Sequence, residues 1–217
     1  MISKKSQFSD ILILFFIIIL IFISLRSLFL PGLFQAHDSF YHFVRQFHFS
    51  HELADGQLPV RMATEMAYGQ GYPIFNFVYS LPYAIGNLGV VSHLGYVDSL
   101  KAVVYLSSLL SVVIWYVWLR KNFSKFASAL GTLFFWFFPY RFLTYFVTFQ
   151  FGAIVANSFF PLLLLGLDTV LTETKLKRSQ KLLGLAAAVI GLTGMILSHL
   201  VTVLIYLPFL IVYVGRS

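Results

Sequence analysis

Ile11-Leu12-Ile13-Leu14-Phe15-Phe16-Ile17-Ile18-Ile19-Leu20-Ile21-Phe22-Ile23 contains no polar side chain, and the apolar run continues past Arg26 to Leu30 and Pro31. A helix needs about 20 such residues to cover the ~30 Å of a bilayer's hydrocarbon. Ser3-Lys4-Lys5 precedes the run, so a cleaved signal peptide is the competing reading. The length of the run and the bulky Leu30-Pro31-Gly32-Leu33-Phe34 that follows, with no small-residue cleavage site, favour a retained first transmembrane helix. The rest of the chain agrees. Of 217 residues, 59% are hydrophobic and 11% charged, whereas a soluble domain carries roughly 25% charged residues. There are too few charges to wet a globule, and the composition also excludes disorder and collagen-like repeats. With no cysteine, disulfides and thiolate metal sites are ruled out. The net charge of +7 does not mark a nucleic-acid binder, because the basic residues lie between apolar runs rather than along one solvated face. The fold class expected is all-α, a polytopic transmembrane helical bundle forming a single membrane domain over residues 1–217.

Spans are predicted at about 11–30, 99–119, 126–141, 151–171, 182–198 and 200–215. The last two come from the stretch between Lys181 and Arg216, which holds 34 residues without a Lys, Arg, Asp or Glu. As one helix it would be ~51 Å long, too long for a single crossing, so a turn is expected near His199. Loop charge sets the orientation, since cytoplasmic loops are enriched in Lys and Arg. With the N-terminus inside, Lys4, Lys5, Arg120, Lys121, Lys125, Lys175, Lys177, Arg178, Lys181 and Arg216 fall on the cytoplasmic side. Arg26, Arg45, Arg61, Lys101 and Arg141 fall outside. The assignment requires that Tyr72–Val91 does not cross. Pro73, Pro82, Gly86 and Gly89 break that stretch, while Asn76, Tyr79, Tyr83 and Asn87 make it amphipathic. An external loop over about 31–97 follows, with interfacial helices at about 38–54 and 73–91.

All six histidines (His37, His42, His48, His51, His93 and His199) map to the outer side, as do Asp38, Glu52, Asp55, Glu65 and Asp98. Function is therefore expected on that face. In Gln35-Ala36-His37-Asp38-Ser39-Phe40-Tyr41-His42-Phe43-Val44-Arg45, helical spacing lines up Asp38, His42 and Arg45. A carboxylate there can take a proton, hold a divalent cation or cap the helix. His48 with Glu52, and His51 with Asp55, read as solvated interfacial pairs. The two-histidine helical zinc signature is absent, because His37 and His42 are five apart. Arg141, in Pro139-Tyr140-Arg141-Phe142, is expected at the outer end of the third span, as a phosphate clamp or an interface anchor. His199, in an apolar turn, is either a site residue or a satisfied packing histidine.

The His37–Arg45 segment has the form HD-x-x-x-H-x-x-R. Asp55-Gly56-Gln57-Leu58-Pro59-Val60-Arg61 and Gly69-Gln70-Gly71-Tyr72-Pro73-Ile74-Phe75-Asn76-Phe77 follow it. Together with Pro139–Phe142 and Leu197-Ser198-His199, these segments resemble bacterial membrane proteins labelled "6-pyruvoyl-tetrahydropterin synthase-related domain, membrane protein". Those proteins are in turn similar to the glycosyltransferase-C superfamily. The resemblance covers nearly the whole chain. It implies a glycosyltransferase-C-like fold in a bacterial inner membrane. The implied activity is sugar transfer from a polyprenyl-phosphate-linked donor to an acceptor on the outer face. Asp38 matches the family's acidic residue of the first external loop, acting as base or metal carboxylate with His37 and His42 in support. Arg45, Arg61, Arg141 and His199 would bind substrate. No cofactor is implied beyond a divalent metal at Asp38, and the partners are the bilayer and the lipid-linked sugar, not nucleic acid.

The chain departs from the family in one loop. Relatives carry Arg-Gly and a downstream acid before the fourth span, whereas here Gln150-Phe151-Gly152 is followed by no acid until Asp168. The resemblance implies more spans and a C-terminal external domain in enzymes of this type, so the chain is expected to correspond to their N-terminal part or to a reduced form. The pterin-synthase label finds no support in clustered metal histidines. A carrier, flippase or scaffold subunit for lipid-linked cell-envelope intermediates is the alternative.

Overall fold

A computed structural model describes residues 4–172 and 177–215. Lys175 and Arg216, two of the charges expected on the cytoplasmic side, lie outside them. The chain is all-helical: α1 (Lys4–Ser24), α2 (Ser39–Ala54), α3 (Leu81–Val91), α4 (Tyr96–Asn122), α5 (Lys125–Trp136), α6 (Pro139–Phe142), α7 (Phe151–Thr172), α8 (Arg178–Ser198) and α9 (Leu200–Gly215). Helices α4, α7 and α8 are long and apolar enough to cross a membrane. A fourth is reached if α5 and the Pro139–Val147 segment, bent by 41°, count as one span. Phe8–Ser24 and Leu200–Gly215 are apolar but shorter.

In α1 the helical repeat buries one face only: Ile17 and Ile21, with Leu25 just past the helix end, pack inward while Ile11, Phe15, Phe16 and Ile23 stay exposed. A helix apolar all round, with a packed stripe and a bare apolar face, suits a lipid surround. The centre of the bundle is α7, whose Phe151, Ile154, Val155, Ala156, Phe160 and Leu164 are buried. It lies against α8 at backbone distance. A Cβ added to Gly191 would sit 2.5 Å from the Leu163 nitrogen, and one on Gly166 would sit 2.3 Å from the Ala188 nitrogen. Small residues at a helix crossing let dispersion and packing operate over a long seam where lipid supplies no hydrophobic drive. Gly191→Leu is therefore expected to lower thermal stability by about 1–3 kcal/mol through overpacking. Val189→Leu, on the exposed face, serves as the unaffected control in the same melting experiment.

Polar contacts join matching ends of neighbouring helices. Asp10 near the start of α1 accepts hydrogen bonds from Tyr116 (2.8 Å) and Arg120 (2.9 Å) at the end of α4. Lys125, opening α5, donates to Ser9. Lys121 pairs with Asp168 of α7 at 3.0 Å, and Tyr213 of α9 donates to the same carboxylate at 3.2 Å. Arg120, Lys121, Lys125 and Asp168 thus gather at one end of the bundle, and α2 and α3 lie at the other.

The predicted interfacial helix over 73–91 is instead one turn, Ile74–Asn76, followed by α3. Eleven residues make ~16 Å of helix, too short to cross by itself. A second difference concerns His48 and Glu52, expected as solvated side chains but buried. The Glu52 carboxylate accepts from the Thr64 backbone N–H (2.5 Å), the Thr64 hydroxyl (2.6 Å) and Gln57 (3.0 Å). It thereby organises the irregular segment after α2, whose fold back over the helix excludes water. His51 keeps its expected neighbour Asp55 at 3.6 Å and gains Glu65 at 3.8 Å.

Candidate functional site

The third helical passage determines the site. Ser124 caps α5, its hydroxyl accepting from the Ala127 N–H at 3.3 Å. The helix stops after Trp136 and resumes at Pro139, a residue whose missing N–H is harmless in a first turn. It then widens to a single i→i+5 turn over Leu143–Val147, a feature concentrated at functional positions. The helical passage thus runs on past the expected limit of the third span near residue 141, to Val147. Arg141 follows the break, roughly a turn and a half before Val147, and its side chain turns inward. Its Nη1 and Nη2 donate to the Ser111 hydroxyl of α4 at 3.3 and 3.2 Å. The guanidinium carbon sits 4.2 Å from the Phe135 ring centre and 5.0 Å from that of Trp136. Arg141 is 6% exposed, and among the described residues no carboxylate pairs with it. The rings contribute cation–π attraction, but they do not neutralise a full charge.

Asp38 reaches the same space from the other side. The backbone N–H groups of His37 and Asp38 donate to the Val147 and Thr148 carbonyls at 2.9 and 3.1 Å, which ties the start of α2 to the end of the widened turn. Asp38 occupies the capping position of α2 but its carboxylate makes no capping hydrogen bond. It accepts instead from His37 Nδ1 at 2.9 Å and stays 37% exposed. The capping reading is thereby set aside. Just beyond, Phe149 holds a positive φ of 51°, costly for a bulky residue. Packing compensates: the ring is buried edge-on to Phe34 and His42, at 5.0 and 5.6 Å.

Between α5–α6, α7 and α9 lies a cavity of about 770 Å³. Its polar lining is Asp38, Arg141, Gln150, Asn157, His199 and Tyr206, while Phe134, Phe138, Val201 and Ile205 form a flank of exposed apolar side chains. A cation without a carboxylate partner, a carboxylate held only by His37 and several neutral polar groups therefore face one space whose side wall is apolar. That combination suits an amphiphile with an anionic group. Gln150, Asn157, Tyr206 and Ser111 were not singled out as site residues by the sequence reading. Isolated polar residues in apolar runs were the only signal they offered.

Three expected site residues stand apart. Arg61 is exposed and away from the cavity. His42 and Arg45 lie behind it, in a layer of rings that the sequence reading also missed. His42 Nδ1 hydrogen-bonds the Tyr83 hydroxyl at 2.8 Å. Tyr83 stacks on Tyr79 at 5.8 Å, and Tyr79 meets the His199 ring edge-on at 5.6 Å. The Tyr79 hydroxyl accepts from the Gly152 N–H at 3.0 Å. Burial raises the pKa of both tyrosines, which remain phenols. The Tyr79–Tyr83 spacing of four was the available sign that both rings share a helix face.

Burial, reinforced by Arg45, pushes His42 down to about 4. With an unfolded value near 6.5, the unfolded chain takes up the proton first as pH falls. The stability from His42 is therefore complete above pH ~6.5 and is lost toward pH ~4. Thermal stability is expected to fall across that window, and His42→Asn should flatten the slope. Among the described residues, no three His, Asp or Glu side chains converge as metal ligands. Asp38 has only His37 beside it, so no step is assigned to a metal. Comparison of the chain with family models, with curated proteins and with solved structures gives no match.

Proposed function

We infer that the protein is a glycosyltransferase-C-type enzyme of a bacterial inner membrane, transferring a sugar from a polyprenyl-phosphate carrier on the outer face. The observation that carries this reading is the shared cavity: Asp38, Arg141 and His199 line one space, and among the described residues no carboxylate, Asp38 included, forms an ion pair with Arg141. An isolated buried cation is expensive, and a phosphate monoester anion from the membrane would satisfy it. The apolar flank accounts for a long hydrocarbon tail. In this reading α1, α4, α5–α6, α7, α8 and α9 make six crossings. The end carrying Arg120, Lys121 and Lys125 is cytoplasmic, and the N-terminus with it.

The chemistry is a displacement at the anomeric carbon. The acceptor hydroxyl oxygen forms the new bond to that carbon, its proton passes to the Asp38 carboxylate, and the bond from the anomeric carbon to the phosphate oxygen breaks. The electron pair leaves with the lipid phosphate, whose charge Arg141 balances. His37 orients Asp38. Arg45 and His42 act only through the ring layer behind the cavity, and Arg61 has no part. Reconstituted protein supplied with a polyprenyl-phosphate sugar and an alcohol acceptor is expected to release free polyprenyl phosphate together with glycosylated acceptor. Movement of the intact donor between leaflets with no transfer would support the second reading, a carrier for lipid-linked intermediates. That alternative draws on Asn157 and Arg141, polar groups enclosed by the helices.

A further inference from the structure

His199 separates α8 from α9 and occupies the capping position of α9. Its Nδ1 accepts from the backbone N–H of Thr202, three residues on, at 3.2 Å, and lies 2.8 Å from the Thr202 hydroxyl. The same N–H also reaches the His199 carbonyl at 3.0 Å. A backbone N–H can only donate, so Nδ1 carries no proton in this arrangement. The ring proton is then on Nε2, and the neutral imidazole is the Nε2–H tautomer. Two further effects keep it neutral. The positive end of the α9 dipole opposes a second proton, and burial lowers the ring's pKa.

Nε2 has no hydrogen-bond partner among the described residues, and His199 is only half-buried and lines the cavity. The residue carrying this unpartnered donor thus lines the same space as Arg141. We propose that His199 binds the ligand's phosphate as a neutral Nε2–H donor beside Arg141, and does not act as a base or as a second cation. The assignment rests on the lipid-phosphate reading of the cavity, and it separates the roles within it: Asp38 takes the proton, and His199 only donates.

The test uses the full chain, 15N-labelled at histidine, in lipid nanodiscs. The probes are a long-chain polyprenyl monophosphate and, separately, inorganic phosphate. The His199 resonances are identified by their loss in His199→Gln. At neutral pH they are expected to report Nε2–H with an unprotonated Nδ1, and the polyprenyl phosphate is expected to move the Nε2 signal while inorganic phosphate does not. His199→Gln, which keeps a side-chain N–H donor, should retain affinity to within about threefold, and His199→Ala should lose about tenfold, the worth of one hydrogen bond to a charged group. An Nδ1–H tautomer, an imidazolium, or lipid phosphate binding with an unmoved Nε2 signal overturns the His199 assignment alone. A response to inorganic phosphate only supports the donor role and overturns the lipid reading. No saturable response to either probe overturns both.

Discussion

Arg141→Met is expected to make the protein more stable and at the same time unable to hold a lipid phosphate. In most proteins those effects run together, because removing a well-packed side chain costs stability. Here the side chain is a buried cation with one neutral hydroxyl partner and three aromatic neighbours. Its desolvation is uncompensated within the described chain. Replacing buried ions with apolar groups of similar volume is commonly neutral or stabilising by about 1–4 kcal/mol. For a chain of this size that corresponds to a rise of about 2–4 °C in Tm per kcal/mol. Methionine also fills irregular apolar space well. The affinity for polyprenyl monophosphate should fall on the order of tenfold to a hundredfold, since each charged hydrogen bond contributes about 1.5–3 kcal/mol. Arg141→Lys should not restore it fully, because a point charge cannot span Ser111 and a phosphate as the planar guanidinium can. Lower stability with unchanged affinity would mark Arg141 as a structural anchor.

Asp38→Asn should lower sugar transfer by about 10²- to 10⁴-fold, the usual contribution of a positioned base, while membrane insertion and thermal stability stay as they were. The separation follows from geometry: the carboxylate caps nothing, and its partner His37 is itself exposed. The asparagine oxygen can still accept the hydrogen bond from His37. Donor affinity should change by less than about threefold, so the loss falls on kcat rather than KM. Transfer at the unaltered rate would remove Asp38 from the chemistry. Insertion failure would revive a structural role for the carboxylate.

Much of the architecture could be read from local pattern. The apolar run at Ile11–Ile23 marks α1, and the polar stripe through Asp38, His42 and Arg45 belongs to α2, whose observed start at Ser39 lies one residue from the expected one. The basic turns mark one end of the bundle. What escaped reading depended on distant contacts. Glu52 looked like a solvated partner for His48 because the segment that buries it lies twelve residues further on and pairs through backbone groups. Arg141 was expected at the outer end of a span over about 126–141; the helix resumes at Pro139 instead, since a proline can open a helix, and runs on to Val147 with Arg141 turned inward. His42 aligned with Asp38 by spacing, but the ring turns toward Tyr83, a partner 41 residues away. His199 looked ambiguous between packing and site; its Nδ1 caps α9, and its other nitrogen is free of partners among the described residues.

The most direct measurement compares two ligands on the unaltered chain in lipid nanodiscs: a polyprenyl monophosphate, and the same polyprenol without its phosphate. With native mass spectrometry, the phosphate should be retained at one copy per chain and the alcohol lost at equal concentration. Equal retention of the two, or of neither, would contradict an anion site at Arg141.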